Sequence, residues 1–137
     1  WTVASEADEI LDHPSPGQDA LRQIFGPEPA HDWCYYFEKA DLARQLKDWQ
    51  QVGKLGDQVD ELGYAPQNGT ERVPFIEGYA HLGQWQTAAA LTIDANAQTV
   101  NLRGLLCTTW KRIENETPPS AEREAALEAV RHAVGCR

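Results

Sequence analysis

Apolar residues recur at three- and four-residue intervals along most of the chain, which is the spacing of one face of an α-helix. No alternating, β-branched run bounded by hairpin turns interrupts this pattern. The predicted fold class is therefore all-α. The pattern predicts a short helical piece over residues 18–26 and longer helices over 32–48, 50–62, 71–82, 85–95, 99–114 and from Ser120 to Gly135.

Residues that begin or end helices stand at several of these boundaries. Asp32 and Ser120 precede apolar-periodic segments and are predicted N-caps. Gly63, with Pro66 just beyond it, and Gly135 follow such segments and are predicted to stop them. These local signals support the helix assignments independently of the apolar spacing.

Two segments resemble each other when the chain is shifted by 36 residues: "LKDWQQVGKL" at 46–55 and "LGQWQTAAAL" at 82–91. In each copy a Trp, Trp49 or Trp85, follows a predicted tight turn between two helices. A large aromatic side chain there can wedge between the helices and fix their angle. The small residues Ala88 and Ala89 allow the paired helices to approach closely.

This repeated helix–turn–helix pattern over about residues 36–96 resembles the tetratricopeptide repeat. The second copy carries the matching residues, Tyr79, Gly83, Trp85 and Ala88, whereas the first has Ala43, Lys47 and Val52 where the family has an aromatic, a Gly and a small residue. The resemblance implies a single helical-repeat domain over 1–137, built as a stack of about three antiparallel hairpins. It would contain an irregular N-terminal cap (1–30), two repeats (31–96) and a closing helical pair (97–137).

A second resemblance rests on "IFGPEPAHDWCYYFEKADLARQLKDW" together with "PFIEGYAHLGQW". These stretches look like the soluble C-terminal region of bacterial multi-pass membrane glycosyltransferases of the dolichyl-phosphate-mannose type. The resemblance implies a helical appendage on the extracytoplasmic side, with the catalytic acids elsewhere. The chain begins at Trp1 and contains no Met, so we expect a fragment or a processed chain, whose upstream sequence would decide this interpretation.

Charge and length narrow the classes of partner. The net charge is −9 over 137 residues, and the acidic residues are spread along the chain. Such a surface repels phosphate backbones, so we expect no nucleic-acid partner. No apolar run approaches the roughly 20 residues that a bilayer span needs, so we expect no membrane insertion. A protein or peptide partner is the remaining prediction, and the oligomeric state stays open.

The densest polar and aromatic cluster lies on the predicted helix from residue 32. Tyr35, Glu38, Asp41 and Gln45 share one face at three- and four-residue spacing. The face is interpreted as a recognition stripe, or as a solvated face whose acids pair with neighbouring cations, or as a carboxylate pair for acid–base catalysis. In tetratricopeptide stacks the first helix of each pair lines a groove, and the matching positions here are Asp41, Arg44, Gln45, Glu77 and His81.

Other chemistry finds little support in the sequence. The four histidines are scattered, and His31-x-x-Cys34 has no second ligand pair nearby, so no metal site is predicted. Neither a GxSxG motif nor a glycine-rich phosphate loop occurs, and we expect no catalytic residue and no cofactor. In a simple hairpin Cys107 and Cys136 would differ in height by roughly 12 Å, at about 1.5 Å per residue. All three cysteines are therefore predicted to be buried free thiols.

The predicted function is that of a helical-repeat interaction or scaffolding module without catalytic activity of its own. The alternative is an extracytoplasmic C-terminal domain of a membrane glycosyltransferase that assists substrate or partner binding. A third interpretation is a helical domain with a small-ligand pocket on its concave face. The chain would be extracytoplasmic in the glycosyltransferase case and cytoplasmic otherwise.

Overall fold

A computed structural model describes residues 31–137 of the chain. They form six α-helices and one 3-10 turn: α1 (Trp33–Gln45), α2 (Trp49–Leu62), the 3-10 turn (Gly69–Arg72), α3 (Val73–His81), α4 (Trp85–Gln98), α5 (Arg103–Glu116) and α6 (Ala121–Val134). No strand occurs within these residues, and the predicted all-α class is confirmed. The predicted helical piece over 18–26 and the N-terminal cap over 1–30 lie outside the described residues.

The predicted helix caps have the expected local geometry. The carboxylate of Asp32 accepts a hydrogen bond from the backbone N–H of Tyr35 at 3.3 Å, and the Ser120 hydroxyl accepts one from Arg123 at 3.0 Å. Gly63 and Gly135 end α2 and α6 with φ of 73° and 87°. Glycine adopts this left-handed conformation without a steric cost, which is why it stops helices.

Two helices begin later than the apolar spacing predicts. A 3-10 turn capped by Asn68 precedes α3, so the α-helix starts at Val73 rather than at residue 71. The helix predicted from residue 99 starts at Arg103, because Thr99 is extended and Asn101 has a φ of 63°. The Thr99 hydroxyl instead accepts a hydrogen bond from the Gly69 N–H at 2.7 Å and joins the two loops.

The two segments related by the 36-residue shift contain the same backbone turn. Lys47 and Gly83 both have positive φ, 57° and 79°. The same pair of hydrogen bonds closes each turn: Lys47 N–H to Arg44 C=O (3.0 Å) and Asp48 N–H to Ala43 C=O (2.9 Å), then Gly83 N–H to Ala80 C=O (3.0 Å) and Gln84 N–H to Tyr79 C=O (2.9 Å). The hairpins α1–α2 and α3–α4 thus bend in the same way.

Each of the first four helices packs on the next one along the chain, and α1 contacts α3, α3 contacts α5, and α4 contacts α6. The largest fully buried side chains are Leu55, Ile76, Leu106, Ile113, Val52, Val130, Thr92 and Thr109. The buried indole N–H of Trp110 donates to the Thr92 hydroxyl at 2.8 Å and ties α5 to α4. None of the helices within residues 31–137 is long and apolar enough to cross a membrane.

The two tryptophans after the repeated turns differ in burial. Trp85 is buried beside Trp110, with 6.2 Å between the ring centroids, whereas Trp49 is half-buried at the start of α2. Ala88 and Ala89 are buried on α4. Glycine allows α3 to approach α2 closely, because a Cβ at Gly78 would lie 2.8 Å from Val52 Cβ.

The cysteine prediction is wrong: Cys107 and Cys136 form a disulfide, with 5.5 Å between their Cα atoms. A uniform helical rise does not hold as far as Cys136. The helix α6 ends at Val134 and Gly135 has a left-handed backbone, so Cys136 lies off the straight path of the helix and bonds to Cys107 on α5. Cys34 is free, but it is exposed rather than buried.

Candidate functional site

The predicted acidic face of α1 is held together by its own side chains. Asp41 accepts a hydrogen bond from Arg44 Nε at 2.9 Å and one from Gln45 Nε2 at 3.1 Å. Arg44 also forms an ion pair with Asp41, and both side chains remain about a third exposed. The three residues thus present a pre-ordered, polar surface with little net charge.

Tyr35 lies in a second group on α1. Its ring stacks on His31 with 3.8 Å between centroids, and Lys39 Nζ lies 3.3 Å from its hydroxyl. The same ammonium is 5.1 Å from the ring centroid, within the range of a cation–π contact. The ring, the imidazole and the ammonium therefore form one ordered cluster at the N-terminal end of α1.

A row of exposed residues runs at four-residue spacing along α1 to the residue that caps it: Glu38, Leu42 and Leu46, here called the α1 stripe. Leu42 is 58 % exposed and Leu46 is 69 % exposed. Glu38 is also exposed. Residues four apart lie on the same helix face, so the two leucines and the acid form a continuous surface beside Asp41 and Gln45.

Glu77, predicted to line the groove, is a buried residue in the middle of α3. Only 2 % of it is exposed, and its carboxylate forms an ion pair with the guanidinium of Arg112 on α5. The Arg112 side chain is 43 % exposed. A buried carboxylate needs such a partner because its desolvation is costly. Glu77 itself is not accessible to a partner, whereas Arg112, the other member of the ion pair, is partly exposed.

His81, the last residue of α3, lies between three elements. Its ring stacks on Trp49 at the start of α2, and its Nε2 is 3.7 Å from Glu116 Oε1 on α5. That distance is too long for a hydrogen bond, and the buried Nε2 has no hydrogen-bond partner among the described residues. Burial lowers the pKa of His81; Glu116 and Glu77 oppose this effect, and Lys47 adds to it.

Two polar pairs, Glu77–Arg112 and His81–Glu116, thus connect α3 to α5. The two pairs lie one helical turn apart, because their members are four residues apart on each helix. Of the predicted site residues, the structure joins Asp41, Arg44 and Gln45 on α1, and it places Glu77 and His81 against α5. Arg112 and Glu116 were missed because nothing in the local sequence pairs them with α3.

A cleft between α1, α2, α3 and α4 was also missed from the sequence. It has a volume of about 280 Å³, and its walls include Trp33, Asp57, Asp60, Tyr64, Phe75 and Tyr79. We call it the aromatic–acidic cleft. The only sequence signal was the pair of acids three residues apart on α2, and their aromatic surroundings come from three other segments of the chain.

Within the aromatic–acidic cleft, the hydroxyl of Tyr79 interacts with the carboxylates of Asp57 and Asp60. The Tyr79 hydroxyl donates to Asp57 Oδ1 at 2.7 Å. Burial raises the pKa of Tyr79 well above its ordinary value, and the hydrogen bond to Asp57 and the charges of Asp57 and Asp60 raise it further. The phenol stays protonated, and the two carboxylates supply the negative charge of this surface.

Comparison of the chain with known protein families, with curated proteins and with solved structures found no match. Within residues 31–137, no three His, Cys, Asp or Glu side chains lie close enough together to hold a metal ion. The two resemblances stay predictions, and the chemistry of each surface follows from its own residues.

Proposed function

We propose that this chain is a helical interaction module that binds a protein or peptide partner and has no catalytic activity of its own. The observation that carries the proposal is the α1 stripe, in which Leu42 and Leu46 expose more than half of their surface one turn apart. Two exposed leucines one turn apart give an apolar surface beside the polar residues of α1, and an apolar surface with a polar rim is what a protein partner can cover.

The surroundings of the α1 stripe favour an amphipathic partner. Asp41, Arg44 and Gln45 are already ordered by hydrogen bonds, so little side-chain entropy would be lost when a partner binds beside them. The net charge of −9 favours approach by a basic segment. A leucine pair inside a polar rim would then bury apolar surface while the rim sets the orientation.

The repeated turn at Lys47 and Gly83 supports a tetratricopeptide-like stack as the scaffold for this binding. In such a stack α1, α3 and α5 would line one groove. His81 would contribute to it directly, and Glu77 would contribute by holding the partly exposed side chain of Arg112. Hairpins of this kind bury their apolar faces against one another and leave a curved surface for a partner. The α1 stripe would lie at one end of that surface.

Peptide-display selection with the whole 137-residue chain tests the proposal. Selected peptides should bind Leu42→Ser/Leu46→Ser about tenfold or more weakly than the unchanged chain, because the apolar patch is lost. Val100→Ser is the matched control, since Val100 is 84 % exposed in a loop outside the stripe. The proposal fails if selection yields no binder, or if the stripe variant and the control bind equally well.

A second candidate function follows from the disulfide between Cys107 and Cys136. Disulfides persist in oxidising compartments and are rare in a reducing cytosol. This favours an extracytoplasmic location, which is what the alternative of a membrane glycosyltransferase domain requires; in that case the module would hold a partner or substrate near the enzyme. Thiol labelling of the protein in its native cells tests this: protection of both cysteines is expected, and labelling of both would remove the candidate.

A further inference from the structure

We infer that the aromatic–acidic cleft binds the cationic side chain of a lysine or arginine in the partner. The inference rests on the proposed function, because it names the chemistry that the partner brings to this module. The cleft is built by side chains from α1, α2, α3 and α4 and from the loop after α2, so it is a tertiary feature rather than one helix face.

The size and the walls of the cleft fit one long side chain. Its volume of about 280 Å³ lies just below the range of roughly 300–1,000 Å³ that is typical of small-molecule pockets. Four aromatic side chains line it: Trp33, Tyr64, Phe75 and Tyr79. Aromatic walls accept the methylene stem of a lysine or arginine, and their faces attract its charge.

The cleft holds two acids, Asp57 and Asp60, against one guanidinium, that of Arg72, so its charge favours a cation. Asp57 and Asp60 are exposed and lie on the same side of α2. The Tyr79 hydroxyl occupies only one acceptor position of Asp57, and a carboxylate accepts about four hydrogen bonds. Within residues 31–137 both acids therefore retain acceptor positions for an ammonium or guanidinium group.

Arg72 is a further polar group of the cleft, and it suits the backbone that would carry such a side chain. Its Nε donates to Gln98 Oε1 at 3.2 Å, and the other N–H groups of the guanidinium can donate to a carbonyl oxygen of a peptide. The indole nitrogen of Trp33 is buried, so a ligand would meet the ring rather than its N–H. A metal ion would need several more oxygen ligands than the two acids supply.

The test is a titration of the whole chain with three acetylated, amidated tripeptides, Ala-Lys-Ala, Ala-Arg-Ala and Ala-norleucine-Ala, followed by NMR. The lysine or arginine peptide should shift the Trp33 indole N–H resonance and saturate in the millimolar range. The norleucine peptide, which keeps the stem and lacks the charge, should bind about tenfold more weakly. Equal binding of the norleucine peptide would overturn the inference.

Variants locate the binding. Asp57→Asn and Asp60→Asn should each weaken the cationic peptides several-fold, while Asp94→Asn, which removes an exposed acid on α4, should leave the affinity unchanged. The amide oxygen introduced by Asp57→Asn can still accept the hydrogen bond from Tyr79, and Asp60→Asn alone suffices if the first variant unfolds. Equal losses in all three variants would show a general charge effect and would also overturn the inference.

The outcome separates this inference from the proposed function. If selected peptides depend on Leu42 and Leu46 but bind Asp60→Asn normally, and the tripeptides cause no shift, the module binds partners without using the cleft. If the tripeptides bind in the cleft while the α1 stripe variants retain every partner, the cleft inference stands and the stripe proposal fails.

Discussion

The imidazole of His81 lies flat on the indole of Trp49, with 4.0 Å between ring centroids and 4° between ring planes. His81 ends α3 and Trp49 begins α2, so the stack joins the two hairpins that contain the repeated turns. The same imidazole faces Glu116 on α5. A single titratable ring on α3 thus contacts two other helices, α2 and α5.

We expect the stability of the fold to decrease as the pH is lowered, because of His81. Burial holds its pKa in the folded chain below the ordinary value of 6.5, so the unfolded chain binds more protons. The stability that neutral His81 contributes is fully present above about pH 6.5. It is lost as the pH falls through the pKa of His81 in the folded chain, and the loss is complete below that pKa. Urea midpoints from about pH 8 to about pH 5 measure this slope.

The control for this prediction is a second histidine. His81→Phe keeps the stack on Trp49 and removes the titration, so the slope of the urea midpoint should flatten. His132→Gln changes an exposed residue of α6 and should leave the slope as it is. An unchanged slope in His81→Phe would contradict the assignment to His81.

Loss of the Arg112 side chain should strongly destabilise the fold. Removing one partner of a buried ion pair costs roughly 3–5 kcal/mol, and the partial exposure of Arg112 brings our expectation for Arg112→Met to about 2–3 kcal/mol. Adding Glu77→Gln should recover part of this loss, because no unpaired charge then remains buried. Urea unfolding measures each variant.

The comparison for Arg112 is the ion pair between Arg131 and Glu114, which joins α6 to α5 with both side chains more than a third exposed. Arg131→Met should cost less than about 1 kcal/mol, since exposed pairs contribute little. Equal costs at Arg112 and Arg131 would mean that Glu77 is stabilised without its ion pair.

The repeated turn predicts opposite effects at its two equivalent positions. A non-glycine residue with left-handed backbone costs roughly 1–2 kcal/mol, so Lys47→Gly should stabilise the fold by about 0.5–1 kcal/mol after the larger entropy of unfolded glycine is subtracted. Gly83→Ala should destabilise it by about 1 kcal/mol, through backbone strain alone, because no atom of residues 31–137 lies within 4 Å of a Cβ there. Thermal unfolding measures both, and the same sign at both positions would contradict the prediction.

The helices could be predicted from the sequence because their signals are local. Asp32, Ser120, Gly63 and Gly135 each act within one helical turn, and the structure confirms all four as caps. The repeated turn was also visible, because the 36-residue shift places Lys47 on Gly83.

What could not be predicted depends on contacts between residues far apart in the chain. The partner of Glu77 is 35 residues away, and the disulfide joins cysteines 29 residues apart after a reversal of the chain. Helical periodicity places a residue on a face but does not say which helix covers that face. The spacing of Asp57 and Asp60 therefore places two acids on one side of α2, but it does not indicate the aromatic residues that complete the cleft.

The disulfide should contribute a large share of the stability of this chain. Cross-linking residues 29 apart lowers the entropy of the unfolded chain by an amount worth about 3–4 kcal/mol. Cys107→Ser/Cys136→Ser should lose about this much, and reduction of the unchanged chain should have the same effect. Cys34→Ser, at the exposed free cysteine, should unfold like the unchanged chain. Insensitivity to reductant would show that the bridge is absent or adds nothing.

The close approach of α2 and α3 depends on the missing side chain of Gly78. A Cβ at this position would overlap Val52, whose own Cβ would lie 2.8 Å away, so Gly78→Ala should cost about 1–3 kcal/mol. Gly104→Ala is the matched control: none of the described residues comes within 4 Å of a Cβ at this position, and alanine should stabilise α5 by about 0.5–1 kcal/mol.

A double variant locates the overlap at Gly78. If Val52 causes it, Gly78→Ala/Val52→Ala should be less destabilised than the sum of the two single variants by about 1 kcal/mol, because the two substitutions share one contact. Urea unfolding of the four chains gives this coupling energy. Simple additivity would mean that α2 and α3 relax apart, and that glycine at this position is not what sets their distance.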